Sequence, residues 1–166
     1  MHEKEIAGKI GRKTGMKVDI TRKRRMSVRT DSRGLREFCV CAKELGFGHL
    51  SAVSVTDFIG EGEYEILYFL WSYQDGLALT VKTRIGREEP SIDSVSDIWG
   101  EAQIHERELH ELFGVEFVGN ADLSELFLEG WNQTPPFRKD FDWREYVRSR
   151  YYRNEGRERG YFEVEK

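Results

Sequence analysis

Three consecutive strand-like runs between residues 51 and 85 constrain the fold more than any other feature. They read SAVSVTDF, EYEILYFLWSYQ and GLALTVKTRI, and β-branched and aromatic residues dominate them. Asp75 and Gly76 lie between the last two runs, and an Asp-Gly pair is one of the strongest short signals for a hairpin turn. The runs therefore predict an antiparallel sheet at the centre of the chain.

A helix, a hairpin and a second helix are predicted before this sheet. Residues 2–13 can form a short polar helix, and MKVDITRKRRMSVRT alternates apolar and polar residues around a charged turn. The predicted inward positions of that hairpin are Val18, Ile20, Met26 and Val28. Asp31 or Ser32 can cap the second helix. Its apolar residues recur at spacings of three and four: Leu35, Phe38, Cys39, Ala42 and Leu45.

A third amphipathic helix is predicted after Pro90 and ends at Gly114. Its apolar face comprises Ile98, Ala102, His105, Leu109 and Leu112. VEF predicts a short strand, and Asn120 is placed to cap a brief helix over ADLSELFLE. Together the elements predict a single two-layer α+β domain over residues 1–130, with a mainly antiparallel sheet and flanking helices.

Residues 131–166 lose this periodicity and are predicted to form an extended docking strap with a charged tail. An extended segment leaves its backbone groups unpaired, so we expect the strap to be ordered only against another surface. Burial of Phe137, Phe141 or Trp143 there would contribute roughly 1.5–3 kcal/mol each. Arg138 is expected to lack a buried partner in the free chain and to bind a carboxylate of another protein.

Charge is distributed unevenly along the chain. The net charge of −4 divides into +8 over residues 1–36, −14 over residues 37–136 and +2 over residues 137–166. This asymmetry can orient the protein on a partner of opposite charge, or the opposite charges can meet within the fold. The basic N-terminal edge and the aromatic, basic tail also leave nucleic-acid binding as an alternative function, although three acidic residues would repel phosphates: Asp140, Asp142 and Glu145.

The sequence contains no recognisable catalytic or metal-binding constellation. His105 and His110 are five residues apart, roughly 140° around a helix, so they cannot chelate one metal together. Cys39 and Cys41 point to different helix faces and are predicted to be small buried thiols. Arg107 is predicted to pair with a glutamate four residues on. The glutamates of this helix are predicted to be a solvated face: Glu101, Glu106, Glu108 and Glu111.

The order of motifs near the C-terminus resembles the 30 kDa subunit of respiratory complex I, the NADH-quinone oxidoreductase. HERELHELFGVEFVGNADLSELFLEGW followed by PPFRKDF is similar to the family's signature, and the resemblance extends over about residues 16–146. The matching positions are Glu106, Arg107, Glu108, Phe113, Gly114, Val115, Phe117, Gly119, Asp122, Leu123, Pro136, Arg138, Lys139, Asp140 and Phe141.

This resemblance implies a subunit without a prosthetic group, on the cytoplasmic side of a membrane-bound complex. Its partners would be a hydrogenase-like large subunit and a small iron–sulfur subunit, with the membrane arm contacted indirectly. Iron–sulfur clusters, and in a hydrogenase a nickel–iron centre, would belong to those partners. The predicted docking residues are Glu106, Arg107, Glu108, Trp131, Pro136, Phe137, Arg138, Lys139, Asp140, Phe141 and Trp143. No apolar run approaches the roughly 20 residues of a membrane span.

The sequence departs from the family's usual pattern at two places. Asn120-Ala121-Asp122-Leu123-Ser124-Glu125 stands where His-Pro-Asp-Leu-Arg-Arg is usual, and Phe137 stands where Leu or Met is common. In both, the chain is more similar to the homologous subunit of archaeal membrane-bound hydrogenases and their sulfur-reducing relatives. We therefore expect a hydrogenase-type complex rather than a quinone-reducing one.

Overall fold

A computed structural model describes residues 2–151 of the chain. The elements in chain order are α1 (His2–Thr14), β1 (Val18–Arg22), β2 (Arg25–Arg29), α2 (Leu35–Glu44), β3 (His49–Phe58), β4 (Glu63–Ser72), β5 (Leu77–Gly86), β6 (Ser91–Asp93), α3 (Ala102–Phe113), β7 (Glu116–Val118) and α4 (Trp143–Tyr151). The predicted α+β class is confirmed.

Five strands form the main sheet in the order β1-β2-β5-β4-β3. The two hairpins β1–β2 and β4–β5 are antiparallel, as predicted, and β3 also pairs antiparallel with β4. Two pairings were not predicted: β2 lies parallel to β5, and β6 and β7 form a separate parallel pair. A parallel neighbour needs a long connection, and here α2, β3 and β4 supply it.

The core lies between one face of this sheet and the helices. Burial alternates along β5, so every second side chain from Leu77 to Ile85 is buried. The largest fully buried side chains are Trp99, Tyr64, Tyr68, Phe38, Phe47, Phe117, Ile10, Met26, Leu35, Leu50, Ile66 and Leu70. The indole nitrogen of Trp99 donates a hydrogen bond to the carbonyl oxygen of Phe47 at 3.1 Å, which satisfies the one polar atom of that side chain.

Three local predictions are wrong. Ile20 is 41% exposed rather than inward, because β1 is the edge strand of the sheet and none of its residues is fully buried. Residues 121–130 form no helix. Residues 131–142 consist of turns, bends and irregular backbone and are followed by α4, so they form no extended strap; the predicted tail beyond residue 151 lies outside the described residues. In that segment the amide of Arg138 donates to Pro135 and the amide of Phe141 donates to Arg138.

Gly114 ends α3 at a close contact with residues 131–151, which we call the C-terminal segment. Its φ is 79°, and its amide donates to the carbonyl oxygen of His110 at 2.8 Å. A Cβ atom at this position would lie 3.1 Å from Cγ of Pro135. The glycine is therefore required both by the left-handed backbone and by the close approach of the proline.

We predict that Gly114→Ala lowers the free energy of unfolding more than Gly62→Ala does. Both glycines have a positive φ, but an added Cβ at Gly62 meets no atom within 4 Å. The left-handed conformation costs an alanine roughly 1–2 kcal/mol at either site, and the contact with Pro135 adds about 1 kcal/mol or more. Urea unfolding of both variants measures the difference. Equal losses would show that Pro135 does not constrain this turn.

Candidate functional site

Arg87, immediately after β5, is the centre of the contacts that hold the C-terminal segment. Nε and one terminal nitrogen of its guanidinium donate to the two carboxylate oxygens of Asp57 on β3, at 2.9 and 3.1 Å. Its terminal nitrogens also donate to the two oxygens of Asp140, at 3.1 and 2.8 Å. The side chains of Arg87 and Asp57 are only 6% and 2% exposed. A buried cation is therefore matched by two carboxylates, one of them from the C-terminal segment.

Further hydrogen bonds fix residues 137–140 on the domain. The amide of Lys139 donates to Asp57 at 2.9 Å, and the amide of Phe137 donates to the carbonyl oxygen of Leu112 at 3.0 Å. Nε and Nη2 of Arg138 donate to the carboxylate of Asp140 at 3.1 and 3.0 Å. The side chain of Arg138 is thus 17% exposed and has a partner within the chain, but that partner is not a buried one, since the side chain of Asp140 is 39% exposed.

These ion pairs shift the pKa values of both carboxyl groups. Burial opposes the ionisation of Asp57, but the hydrogen bonds from Arg87 and from the amide of Lys139 outweigh it, so the pKa is lowered from its ordinary 3.8. Arg138 and then Arg87 hold the pKa of Asp140 well below its ordinary value. Both carboxylates are therefore ionised at neutral pH, which keeps the C-terminal segment attached.

Aromatic side chains surround this attachment. Trp131 lies 5.5 Å from Phe141 and 5.0 Å from Tyr146 between ring centroids, and Phe137 meets Phe113 edge-on at 5.7 Å. Several large apolar side chains of this region are nevertheless exposed: Phe127 at 65%, Phe137 at 58%, Trp143 at 49% and Tyr151 at 69%. The C-terminal segment thus turns its polar groups toward the domain and part of its aromatic surface outward.

Glu106, predicted both as a solvated residue and as a docking residue, is completely buried. Its carboxylate accepts hydrogen bonds from the hydroxyl of Ser94 at 2.6 Å, the amide of Val95 at 2.8 Å and the side-chain amide of Asn120 at 2.8 Å. Burial raises its pKa above the ordinary 4.5, although these donors oppose the shift. Glu106 cannot touch a partner. It instead joins α3 to the segments before and after it.

Arg107 and Glu111 also bind groups within the chain. The predicted ion pair between these two side chains is not formed, and each has other partners. Arg107 forms an ion pair with Asp122 at 3.1 Å and donates to the carbonyl oxygen of Ser124 at 2.7 Å. The carboxylate of Glu111 accepts the amides of residues 126–128 at 2.9–3.1 Å. These contacts satisfy the backbone of the segment that was predicted to be a helix. Glu108 stays half-buried on the same helix.

The other predicted docking residues all lie on the C-terminal segment. Pro136 and Trp131 are half-buried, and Lys139 is exposed. Asp57 and Arg87, which hold the segment, were missed because neither belongs to a local motif. The one signal in the sequence is that an Asp and an Arg interrupt the apolar pattern at the ends of two strand-like runs.

The potential metal ligands are not brought together. Residues 2–151 contain no group of three or more His, Cys, Asp or Glu side chains placed to hold a metal ion. Cys39 and Cys41 are buried free thiols, as predicted, and burial raises the pKa of Cys39 to about 12. His110 faces the carbonyl oxygen of Val115, with its ring nitrogen Nδ1 at 2.9 Å from that oxygen.

Within residues 2–151, no helix has both the length and the apolar character of a membrane span.

Comparison with known proteins identifies the family. Residues 28–147 match the family described as respiratory-chain NADH dehydrogenase, 30 Kd subunit. The chain belongs to this family. A subunit of the F420H2 dehydrogenase of Methanosarcina mazei is 33% identical over 71% of this chain and 76% of the relative. An NADH-quinone oxidoreductase subunit of Rhizobium meliloti is 36% identical over 66% of this chain and 62% of that protein.

Solved structures extend the likeness to the whole fold. A chain of the membrane-bound sulfane sulfur reductase, an archaeal respiratory membrane complex, is 30% identical, with a TM-score of 0.86 over 97% of this chain and 99% of its own. The trypsin-resistant fragment of Nqo5 is 25% identical, with a TM-score of 0.62 over 74% of this chain. The resemblance to complex I and to the archaeal sulfur-reducing complexes is confirmed, and the chain is homologous to subunits of respiratory complexes.

We predict that Arg87→Met destabilises the free chain by about 3–5 kcal/mol, because it leaves Asp57 buried without its cation. The matched control is Arg36→Met. Arg36 also binds an aspartate, Asp97, through two nitrogens, but the two side chains are 43% and 61% exposed, so its loss should cost about 1 kcal/mol or less. Chemical denaturation measures both. A loss at Arg87 no larger than at Arg36 would contradict the anchoring role of Arg87.

The two buried carboxyl groups should give opposite pH dependences. Glu106 has a raised pKa in the folded state, so its contribution to stability falls as the pH rises from about 4.5 through the folded value. Asp57 has a lowered pKa, so its contribution is present above about 3.8 and is lost as the pH falls through the folded value.

Unfolding free energies of Glu106→Gln and Asp57→Asn between pH 3 and 8 test this difference. Relative to the wild type, the deficit of Glu106→Gln should shrink as the pH rises, and that of Asp57→Asn should grow from acid to neutral pH. Deficits that change in the same direction would contradict the assigned environments.

Proposed function

We propose that the chain is a non-catalytic peripheral subunit of a membrane-bound respiratory oxidoreductase. Its role is to dock on a hydrogenase-like large subunit and to stabilise it during electron transfer coupled to ion pumping. The observation that carries the proposal is the C-terminal segment. The buried Arg87 fixes its backbone on the domain, while Phe137 and Trp143 remain about half exposed. An ordered aromatic surface costs little entropy to bind, because its residues are already positioned.

The similarity to the sulfane sulfur reductase chain supports this proposal, since it covers 97% of the sequence and so includes the C-terminal segment. Tyr, Trp and Phe side chains are enriched at the core of protein interfaces, and Trp and Tyr are frequent among the residues that dominate the binding energy. In the proposed assembly the large subunit and a small iron–sulfur subunit supply the iron–sulfur clusters and, in a hydrogenase, the nickel–iron centre. This chain holds no prosthetic group and lies on the cytoplasmic face of the membrane.

The relatives act with different electron carriers, as the names F420H2 dehydrogenase, NADH-quinone oxidoreductase and sulfane sulfur reductase state. We propose a hydrogenase-like or sulfur-reducing complex for this chain, because the fold match with the sulfur reductase spans nearly the full length of both chains. The alternative of nucleic-acid binding receives no support from these relatives. In addition, Arg87 and Arg138 already form ion pairs with Asp140, so their charges are not available to bind phosphates.

We predict that the chain co-purifies from solubilised membranes of its native host with a hydrogenase-like large subunit. The double variant Phe137→Ala/Trp143→Ala lacks the two exposed rings. Its recovery with the large subunit should be lower by about tenfold or more, since an aromatic side chain at an interface often contributes about 2 kcal/mol or more to the binding free energy. Unfolding of the free variant should change little. The control, Val40→Ala on α2, removes an apolar side chain that is 42% exposed away from this segment.

Mass spectrometry of the recovered subunits measures the result and also identifies the type of complex. Recovery of the chain without any membrane assembly would contradict the proposed function. If the double variant is recovered with the complex as fully as Val40→Ala, the docking role of the C-terminal segment is contradicted, but membership of the complex is not.

A further inference from the structure

The sheet face opposite the core carries a row of accessible apolar side chains. Leu67, Phe69 and Trp71 alternate with buried residues along β4, so they point away from the helices. Phe69 is 37% exposed, and Leu67 and Trp71 are half-buried. Ala78 and Thr80 of β5 pair with Trp71 and Phe69 in register and continue the same surface. We call the surface formed by these five residues the open sheet face.

Cations lie next to the open sheet face, with Arg22 on β1, Arg25 on β2 and Lys82 on β5. Arg22, Arg25 and Lys82 line a groove of about 360 Å³ together with Leu67 and Phe69. Within residues 2–151, none of these three cations forms an ion pair, whereas other cations of the sheet do: Arg84, for example, binds Glu61 and Glu63.

The register of the sheet concentrates this positive charge. The parallel pairing of β2 with β5 sets Arg29 beside Lys82 and Arg25 beside Ala78. Like charges opposite each other on neighbouring strands are destabilising. Glu65 relieves part of the repulsion, since its carboxylate lies 3.5 Å from Arg29. The groove therefore combines an apolar floor with an excess of cations.

The open sheet face is separate from the C-terminal docking segment. Ala78, next to Arg25, is at the start of β5, and Arg87, which holds the C-terminal segment, follows the end of the same strand. Lys82, the groove residue of β5 nearest to Arg87, is five residues before it, which is about 17 Å of extended chain. A partner bound at the two exposed rings of the C-terminal segment does not need to reach the groove.

We propose that the open sheet face is a second docking site, which binds an acidic segment of another subunit that also carries apolar side chains. The proposal rests on the proposed function, because the partner is a subunit of the same assembly. Carboxylates would neutralise Arg22, Arg25 and Lys82, and apolar side chains would cover Phe69 and Leu67. A long polyanion suits the site less well, because the net charge of residues 37–136 is −14.

Site-specific photocrosslinking in the assembled complex tests this proposal. The probe is p-benzoylphenylalanine in place of Phe69, in a full-length chain purified within the native complex. The expected product is a crosslink to a segment of another subunit in which Asp and Glu outnumber Lys and Arg. Arg22→Glu/Arg25→Glu should lower the yield by about tenfold or more, because like charges then face each other. Lys82→Glu is the second variant, should the double variant fail to fold.

The same probe at Val40, which is exposed on α2, is the background control, and the probe at Phe137 reports on the C-terminal docking segment. A Phe69 crosslink to residues 152–166 of the same chain, to lipid, to nucleic acid or to a segment without excess acidic residues would overturn the proposal. No Phe69 crosslink above the Val40 background would also overturn it. If Phe137 crosslinks to the large subunit in those cases, the proposed function stands. If neither position crosslinks to a subunit, both proposals fail.

Discussion

The ion pairs of Arg87 hold the two parts of the structure together. A guanidinium that is almost fully buried requires carboxylate partners, because removing a charge from water costs several kcal/mol when it is left unpaired. Asp57 supplies one partner from the main sheet, and Asp140 supplies the other from 53 residues further along the chain. Fixing that distant segment costs chain entropy. Charge-assisted hydrogen bonds and the turns of residues 135–141 offset the cost.

This arrangement divides the PPFRKDF segment into residues that act inward and residues that act outward. Asp140 and Arg138 bind within the chain, and Pro135 packs closely against the turn at Gly114. The ring of Phe137 touches Phe113 with one edge but stays 58% exposed. A motif shared across a family can thus reflect two separate constraints. In this chain Arg138 and Asp140 position the motif, and Phe137 provides an exposed surface that a partner can cover.

Sequence reasoning succeeded where a signal is local and failed where the partner is distant. Alternation and the Asp75-Gly76 pair predicted β3 to β5, because a half-buried strand must present one apolar face. The loop after Asn120 has the composition of a capped helix, but Glu111 on α3 accepts its amides and removes the need for helical hydrogen bonds. Glu106 looked solvated because nothing near it in sequence shows that Ser94 and Asn120 converge on its carboxylate.

The uneven charge of the chain illustrates the same limit, because opposite charges meet within the fold for some of the basic residues and not for others. Arg36 reaches Asp97 and Lys13 reaches Glu44, so some cations of the basic N-terminal region do meet the acidic body within the fold. Arg22 and Arg25 of the first hairpin do not, because β2 joins the sheet parallel to β5 and is brought next to Lys82 rather than to a row of carboxylates. That strand order depends on contacts distant in sequence. It therefore decides which of these charges form internal pairs and which do not.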